Sequence, residues 1–221
     1  MGELIRTLKD LDMIDETLVI LNADHGESLG EHRIYFDHHG LYEPTIRVPL
    51  ILSLPKTLPG NRRIRALCQH ADLLPTILDL TGIRPPQGVG FLDGRSLMPL
   101  IREKVKEIHP FVISCEANWQ LKRSIRTHQW KLIQSLEKDA YGNPRFELYD
   151  LKSDPGETKN LASRHPDIVR GLHQRMNRWI RKMLVKYKRK DPLRGGVKVR
   201  LHRMTVAEEE KVKKRLSELG Y

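Results

Sequence analysis

Cysteine is scarce. Cys68 and Cys115 are the only two in 221 residues, and neither sits in a CxxC spacing. Two buried thiols are expected rather than a disulfide. Long apolar runs are missing as well. The longest, LVIL at 18–21 and VPLILSL at 48–54, are far short of the roughly 20 residues that cross a bilayer. The N-terminus, MGELIRTLKDLD, has no apolar core of the secretory type, so no signal peptide is expected and the default compartment is cytoplasmic. No internal repeat is present.

Basic excess is absent from most of the chain, although the formal net charge is +11. Residues 170–221 hold 17 Lys and Arg against 5 Asp and Glu, whereas residues 1–169 hold 22 against 23. A nucleic-acid partner is therefore not expected. The basic tail reads either as a solvated helix face followed by a flexible arm, or as a contact for anionic polymers or membrane surfaces. Apolar residues make up 39% of the chain, slightly low but enough for a core of this size.

Leu4, Ile5, Leu8 and Leu11 share one helical face. TLVILNA (17–23) and VPLILSL (48–54) read as strands buried on both sides. ADLLPTILDLTG reads as a helix closed by Gly82. This order predicts an α/β domain with a mixed or mostly parallel sheet over residues 1–110. FVISCEA, SIRTHQWKLIQSL and FELYDL then predict a small antiparallel sheet, with turns at YGNP and SDPGE. From Pro166, Ile168, Leu172, Met176, Trp179 and Met183 form an apolar helical stripe suited to pack on that sheet, which completes a subdomain at 111–185. Residues 186–203 read as a basic linker. A terminal helix follows, with Thr205 and Glu208 as a capping box and Val212, Leu216 and Leu219 as its stripe.

Strands are in short supply too. About two core strands in 110 residues fall below the five or more of a doubly wound sheet. The chain reads as the second half of something, with apolar edges left open and low solubility expected unless another chain covers them.

The chemistry is concentrated in TLVILNADHGESLGEHRIYFDHHGLYEPTIR, where His25, His32, His38 and His39 are interleaved with carboxylates and glycines. Asp24 and His25 directly follow the strand, where side chains project into the crevice at the carboxyl ends of an α/β sheet. A carboxylate beside an imidazole can hold a divalent cation, yet two ligands do not complete a sphere, and a strand-ending turn explains DHG equally well. Glu27 and Glu31, like Ser28 and His32, are spaced for a single helical turn. Beside Asp37, His38 can keep a proton near neutral pH and act as an acid. His32 and His39 are expected to be loop residues.

TLVILNADHGESLGEH, FDHHGLYE and RVPLIL together resemble the sulfatase family of the alkaline phosphatase superfamily. HADLLPTILDLTGI, DGRSLMPLI, WKLIQSL and ELYDLKSDPGETKNLA extend the resemblance over nearly the whole chain. It implies hydrolysis of sulfate esters with one divalent cation, Ca²⁺ first and Mg²⁺ or Mn²⁺ next. The nucleophile would be a formylglycine made from a Cys/Ser-x-Pro-x-Arg motif. Asp24 and His25 match half of the metal-ligand set, and His38 matches the cationic group at the sulfate or leaving oxygen, where many members carry a lysine near position 37.

No Cys/Ser-x-Pro-x-Arg occurs in the 221 residues, so this chain holds no nucleophile. Missing motif and missing strands point the same way, to the C-terminal half of a sulfatase. By itself it is expected to be inactive, with the N-terminal half on another chain as one way to complete it. A phosphomonoesterase, phosphodiesterase or phosphonate hydrolase of the same superfamily is the other enzyme reading. A non-catalytic anion-binding remnant is the third.

Overall fold

The computed structural model describes residues 1–84, 92–139 and 141–194. The terminal helix expected beyond residue 203 lies outside them. Helix α1 (Gly2–Asp10) is followed by strand β1 (Val19–Asn22), the short strands β2 (Ser28–Leu29) and β3 (Tyr35–Asp37), helix α2 (Glu43–Ile46) and strand β4 (Leu50–Ser53). Helices α3 (Leu73–Thr81) and α4 (Met98–Ile101) complete the first part. Strands β5 (Val112–Ala117), β6 (Leu121–Arg126), β7 (Trp130–Ser135) and β8 (Phe146–Asp150) then form an antiparallel meander under helix α5 (Pro166–Lys186). No helix among the described residues is long and apolar enough to cross a membrane.

The two core strands are where expected, but β1 and β4 pair antiparallel, Val19 with Ser53 through Asn22 with Leu50. The mixed sheet is thus represented by an antiparallel pair and not by the parallel neighbours that the rhythm suggested. β4 packs through Leu50 and Leu52 on Leu97, Met98, Leu100 and Ile101 around α4. Asp72, fully buried, ties this part together: it accepts from the backbone of Gln69 and Arg95 and faces His109 at 3.0 Å. Gly82 ends α3 at φ +68°, as its position predicted. Apolar surface remains open at Leu4 and Leu11 of α1, Ile51 of β4 and Leu74 of α3.

The meander has four strands where the sequence suggested three, because SIRTHQWKLIQSL folds back on itself. Thr127 makes the turn without glycine or asparagine. Its backbone N–H donates to the Trp130 carbonyl at 2.8 Å, and its hydroxyl accepts the Trp130 N–H at 2.9 Å. Alternation then sorts the side chains. Ile125, Leu132 and Leu148 face α5 and pack on Leu172 and Met176, with Ile168 and Ile180 alongside. Trp179, expected in that stripe, is at its edge and 37% exposed. Asp191 pairs with Arg123, and Leu193 is buried, so residues 186–194 lie against the body instead of forming a free linker.

The opposite face of the meander carries Lys122, Lys131, Glu147 and Tyr149, and it is also covered. Ile34, Leu41 and Tyr42 pack on Ile133 and Tyr149 there. Lys131, 0% exposed, reaches Glu43 at 2.8 Å and Glu157 at 2.7 Å. Lys122 reaches Asp139 at 2.5 Å. Burial raises the Glu157 carboxyl above its usual range, with Lys131 opposing. Burial also penalises Asp139, but Lys122 and the backbone N–H of Asn143 outweigh it and hold this carboxyl below the usual range.

Removing the buried cation while leaving both carboxylates is expected to be severe. Lys131→Met should lose about 3–5 kcal/mol in urea unfolding. Adding Glu157→Gln to that variant should recover part of the loss. A depressed Asp139 contributes stability that is full above the ordinary Asp range, about pH 4, and is lost as pH falls through its folded value. Asp139→Asn should therefore flatten the acid limb of the stability–pH curve, read by fluorescence-detected unfolding.

Candidate active site

At the carboxyl end of β1 the chain turns through Ala23, Asp24, His25 and Gly26. The Gly26 N–H donates to the Thr45 carbonyl at 2.8 Å. A Cβ at Gly26 would stand 1.9 Å from the Pro44 carbonyl oxygen, so only glycine fits this approach. On the other side, His70 Nε2 lies 2.9 Å from the Ala23 carbonyl. Backbone contacts from two separate segments thus fix the turn and present Asp24 outward, its side chain 89% exposed.

The His25 N–H donates to Asp24 Oδ1 at 3.0 Å. That bond, then the Asp24 backbone and the His25 ring, hold the Asp24 carboxyl below its usual range. His25 Nδ1 lies 2.9 Å from the Gly26 carbonyl, an acceptor only, so this nitrogen carries a proton and Nε2 is the ring nitrogen left to bind a ligand. Nε2 is 3.7 Å from Asp24 Oδ2.

Strands β2 and β3 bring the second half of the stretch back over the first. Ser28 pairs with Asp37, which aligns the flanking residues Glu27 and His38. His38 stacks on His25 with ring centroids 4.0 Å apart and planes at 20°. Ligand atoms of His25, Glu27 and His38 all lie within 4.8 Å of one another. Sequence reading singled out Asp24, His25 and His38, and the structure brings all three together. Glu27 was noted only for helical spacing. The strand register is what places it here, and two short strands of two and three residues leave little sequence signal. The helical turn forms instead at Glu31–Arg33. His32, Arg33 and Phe36 all have positive φ, a costly backbone for non-glycine residues and one concentrated beside the site.

His32 and His39 are not loose loop residues. His32 stacks on Tyr42, centroids 3.7 Å apart and planes at 4°. Burial, then the charge of Lys131, lowers its pKa. His39 is 8% exposed, with Nδ1 3.2 Å from Asp37 Oδ1 and Nε2 2.5 Å from the Tyr141 hydroxyl. For Asp37, burial raises the pKa but the His38 N–H and the His39 ring more than offset it, and the carboxyl is held low.

The loop bearing His38 is latched to the meander along its length. Gly40 N–H donates to Glu116 at 3.0 Å, Tyr42 hydroxyl to Glu147 at 2.8 Å, and Glu43 N–H to Glu157 at 2.6 Å. Burial pushes the Tyr42 and Tyr149 hydroxyls far up, so both remain neutral donors to Glu147. In front of Asp24, His25 and His38 opens a cleft of about 1240 Å³, bordered by β4 and β5. Cys68 and Cys115 line it as free cysteines at exposed positions, not the buried pair that was expected, although partial burial still pushes both thiols up.

Among known proteins, the family model described as N-sulphoglucosamine sulphohydrolase, C-terminal, matches residues 30–182. The chain belongs to the sulfatase family. Human arylsulfatase K is 35% identical over 191 residues, covering 80% of this sulfatase chain and 33% of that protein. The delta 4,5-hexuronate-2-O-sulfatase of Bacteroides thetaiotaomicron is 37% identical over 157 residues, 66% of this chain and 30% of that protein. A protein solved in complex with its substrate D-glucosamine-2-N,6-O-disulfate superposes with a TM-score of 0.72 at 26% identity, over 88% of this chain and 39% of that one. The phosphonate monoester hydrolase of Agrobacterium radiobacter, at 23% identity and a TM-score of 0.68, shares the fold. The sulfatase chain thus spans about a third of the length of the curated relatives it matches.

Gly26→Ala should be among the most damaging single changes in this sulfatase segment. Displacing Pro44 and Thr45 is expected to reduce stability by about 1–3 kcal/mol in denaturant unfolding. The His25–His38 stack should loosen with it, seen as altered imidazole resonances in NMR.

Proposed function

We propose that this chain carries the metal-binding and leaving-group side of a sulfuric ester hydrolase site acting on sulfated sugars. The observation that carries the reading is the placement of the His25 ring. Its Nδ1 faces the Gly26 carbonyl at 2.9 Å, which leaves Nε2 beside Asp24 Oδ2, 3.7 Å away. Two donors at that separation can share one cation at bond lengths of about 2.0–2.6 Å. Backbone carbonyl contacts that orient a histidine in this way are the usual support of a metal ligand. Membership of the sulfatase family, rather than the donor set, favours Ca²⁺ first, with Mg²⁺ or Mn²⁺ as alternatives; the imidazole nitrogen by itself suits Mn²⁺ better than Ca²⁺. When bound, that ion would offset the charge of sulfate oxygens.

His38 stands against His25 and is exposed to the cleft. Asp37 accepts the His38 backbone N–H at 2.6 Å and lies 3.7 Å from its ring Nδ1, and the half-exposed ring can meet a sulfate or a leaving oxygen. His39, packed against Tyr141 and Trp119, is turned away from that task. The names of the relatives support a sugar sulfate as the substrate class. No nucleophile motif lies in the 221 residues, so a formylglycine residue would have to come from sequence outside them, on the same or a second chain.

Calorimetry with Ca²⁺ or Mn²⁺ tests the metal assignment without any need for turnover. Asp24→Ala and His25→Ala should each weaken binding at least about tenfold, a loss of roughly 1.4 kcal/mol. Unchanged affinity in both variants would sink the assignment. The chain alone should not turn over a chromogenic sulfate ester, whereas mixing it with an N-terminal half of a sulfatase should restore hydrolysis that His38→Ala then removes. A faster reaction with phosphonate esters than with sulfate esters in that mixture would favour the other branch of the superfamily.

A further inference from the structure

Trp119 has no part in the core. It sits in the turn between β5 and β6, 60% exposed, with its ring centroid 5.4 Å from that of His39 and the planes at 34°. The other two tryptophans differ in place. Trp130 packs into the α5 core, and Trp179 lies on α5 at the far side of the meander. A large indole held out of the core presents a fixed apolar plate with a hydrogen-bonding edge.

The turn that carries it is joined to the candidate active site. Glu116, just before the turn, accepts the Gly40 N–H at 3.0 Å, two residues beyond His38. Tyr141 holds the edge of the His39 ring, its hydroxyl 2.5 Å from Nε2. Asn118, exposed beside Trp119, lines the same cleft as Asp24, His25 and His38. An aromatic plate next to an amide, beside a site for an anion, matches a pyranose ring. One face of such a ring is C–H, its edge is hydroxyl, and its substituent here is the sulfate.

We propose that Trp119 and Asn118 form the sugar subsite of this site, Trp119 stacking on the apolar face of the pyranose whose sulfate meets His38 and Asn118 hydrogen-bonding a ring hydroxyl. The inference rests on the sulfate-ester reading above and assigns its specificity to the β5–β6 turn. The subsite selects the sugar, while Asp24, His25 and His38 select the anion.

The test uses the whole chain with Ca²⁺ and three probes: D-glucosamine-2-N,6-O-disulfate, unsulfated D-glucosamine and inorganic sulfate. Binding is followed by calorimetry and by the indole N–H resonances, assigned with variants. The disulfate should shift the Trp119 indole signal and leave those of Trp130 and Trp179 in place. Trp119→Ala should weaken the disulfate roughly tenfold, and Trp119→Phe should retain most of the affinity. Asn118→Ala should weaken it a few fold. None of the three should alter the affinity for inorganic sulfate, which a general disturbance of the His38 loop would do. If the disulfate binds Trp119→Ala as tightly as wild type while His38→Ala weakens it, the subsite is wrong and the sulfate site stands. Binding of inorganic sulfate with no binding of the disulfate overturns the subsite as well. If neither sulfate nor disulfate responds to His38→Ala, the sulfate-ester reading itself fails.

Discussion

Lys131 is the point on which the arrangement turns. It has no exposed surface, and its ammonium joins Glu43, from the loop that bears the site histidines, to Glu157, from the segment after the last strand. Taking an ammonium and two carboxylates out of water is expensive, and their attraction only offsets that when the geometry and the remaining hydrogen bonds are good. Here those bonds are supplied. Glu157 also accepts the Glu43 N–H, and Arg126 takes up the other Glu43 oxygen. Apolar contacts between Tyr42, Ile133 and Tyr149 would tolerate a shift of the loop by a residue, but the directional ion pairs would not.

Through that joint the meander acts as a two-sided support. Its apolar face is closed by α5, and its charged face holds the 34–46 loop. The site itself is then assembled by backbone. Gly26 touches Thr45, Ala23 is held by His70, and the β2–β3 register sets His38 over His25. Apart from the His25–His38 stack, these contacts do not use the side chains of Asp24, His25 and His38, which line the cleft.

Much of this was legible in the residues, and the failures have physical causes. The 3.6-residue stripe of α5, the apolar strands and the αL position of Gly82 were read correctly, because burial and backbone conformation leave local periodic marks. Asp24, His25 and His38 lie beside one another at the cleft. The extra strand was hidden because Thr127 makes its turn with a side chain and not with a glycine. His39 is in a loop as expected, whereas His32 is in a short helical turn, and nothing local announces Tyr42 and Tyr141 as their ring partners, the latter 102 positions from His39. Periodicity along β6 to β8 cannot distinguish a polar face in water from one covered by charged partners.

That distinction explains why ELYDLKSDPGETKNLA can mark the family without taking part in the chemistry. Glu147 gathers the hydroxyls of Tyr42 and Tyr149 and faces Lys122. Glu157 closes the Lys131 centre, and Asp154 shapes the approach to it by accepting from the backbone of Thr158 and Lys159. Glu147 and Glu157 each have a partner already buried, so replacing either leaves an uncompensated charge or donor in the interior. A residue that touches a ligand can be exchanged when the ligand changes. A residue whose partners are buried charges can be exchanged only together with them. The segment tied to those buried charges is therefore the one with least freedom, and the exposed β5–β6 turn with Asn118 and Trp119 has the most.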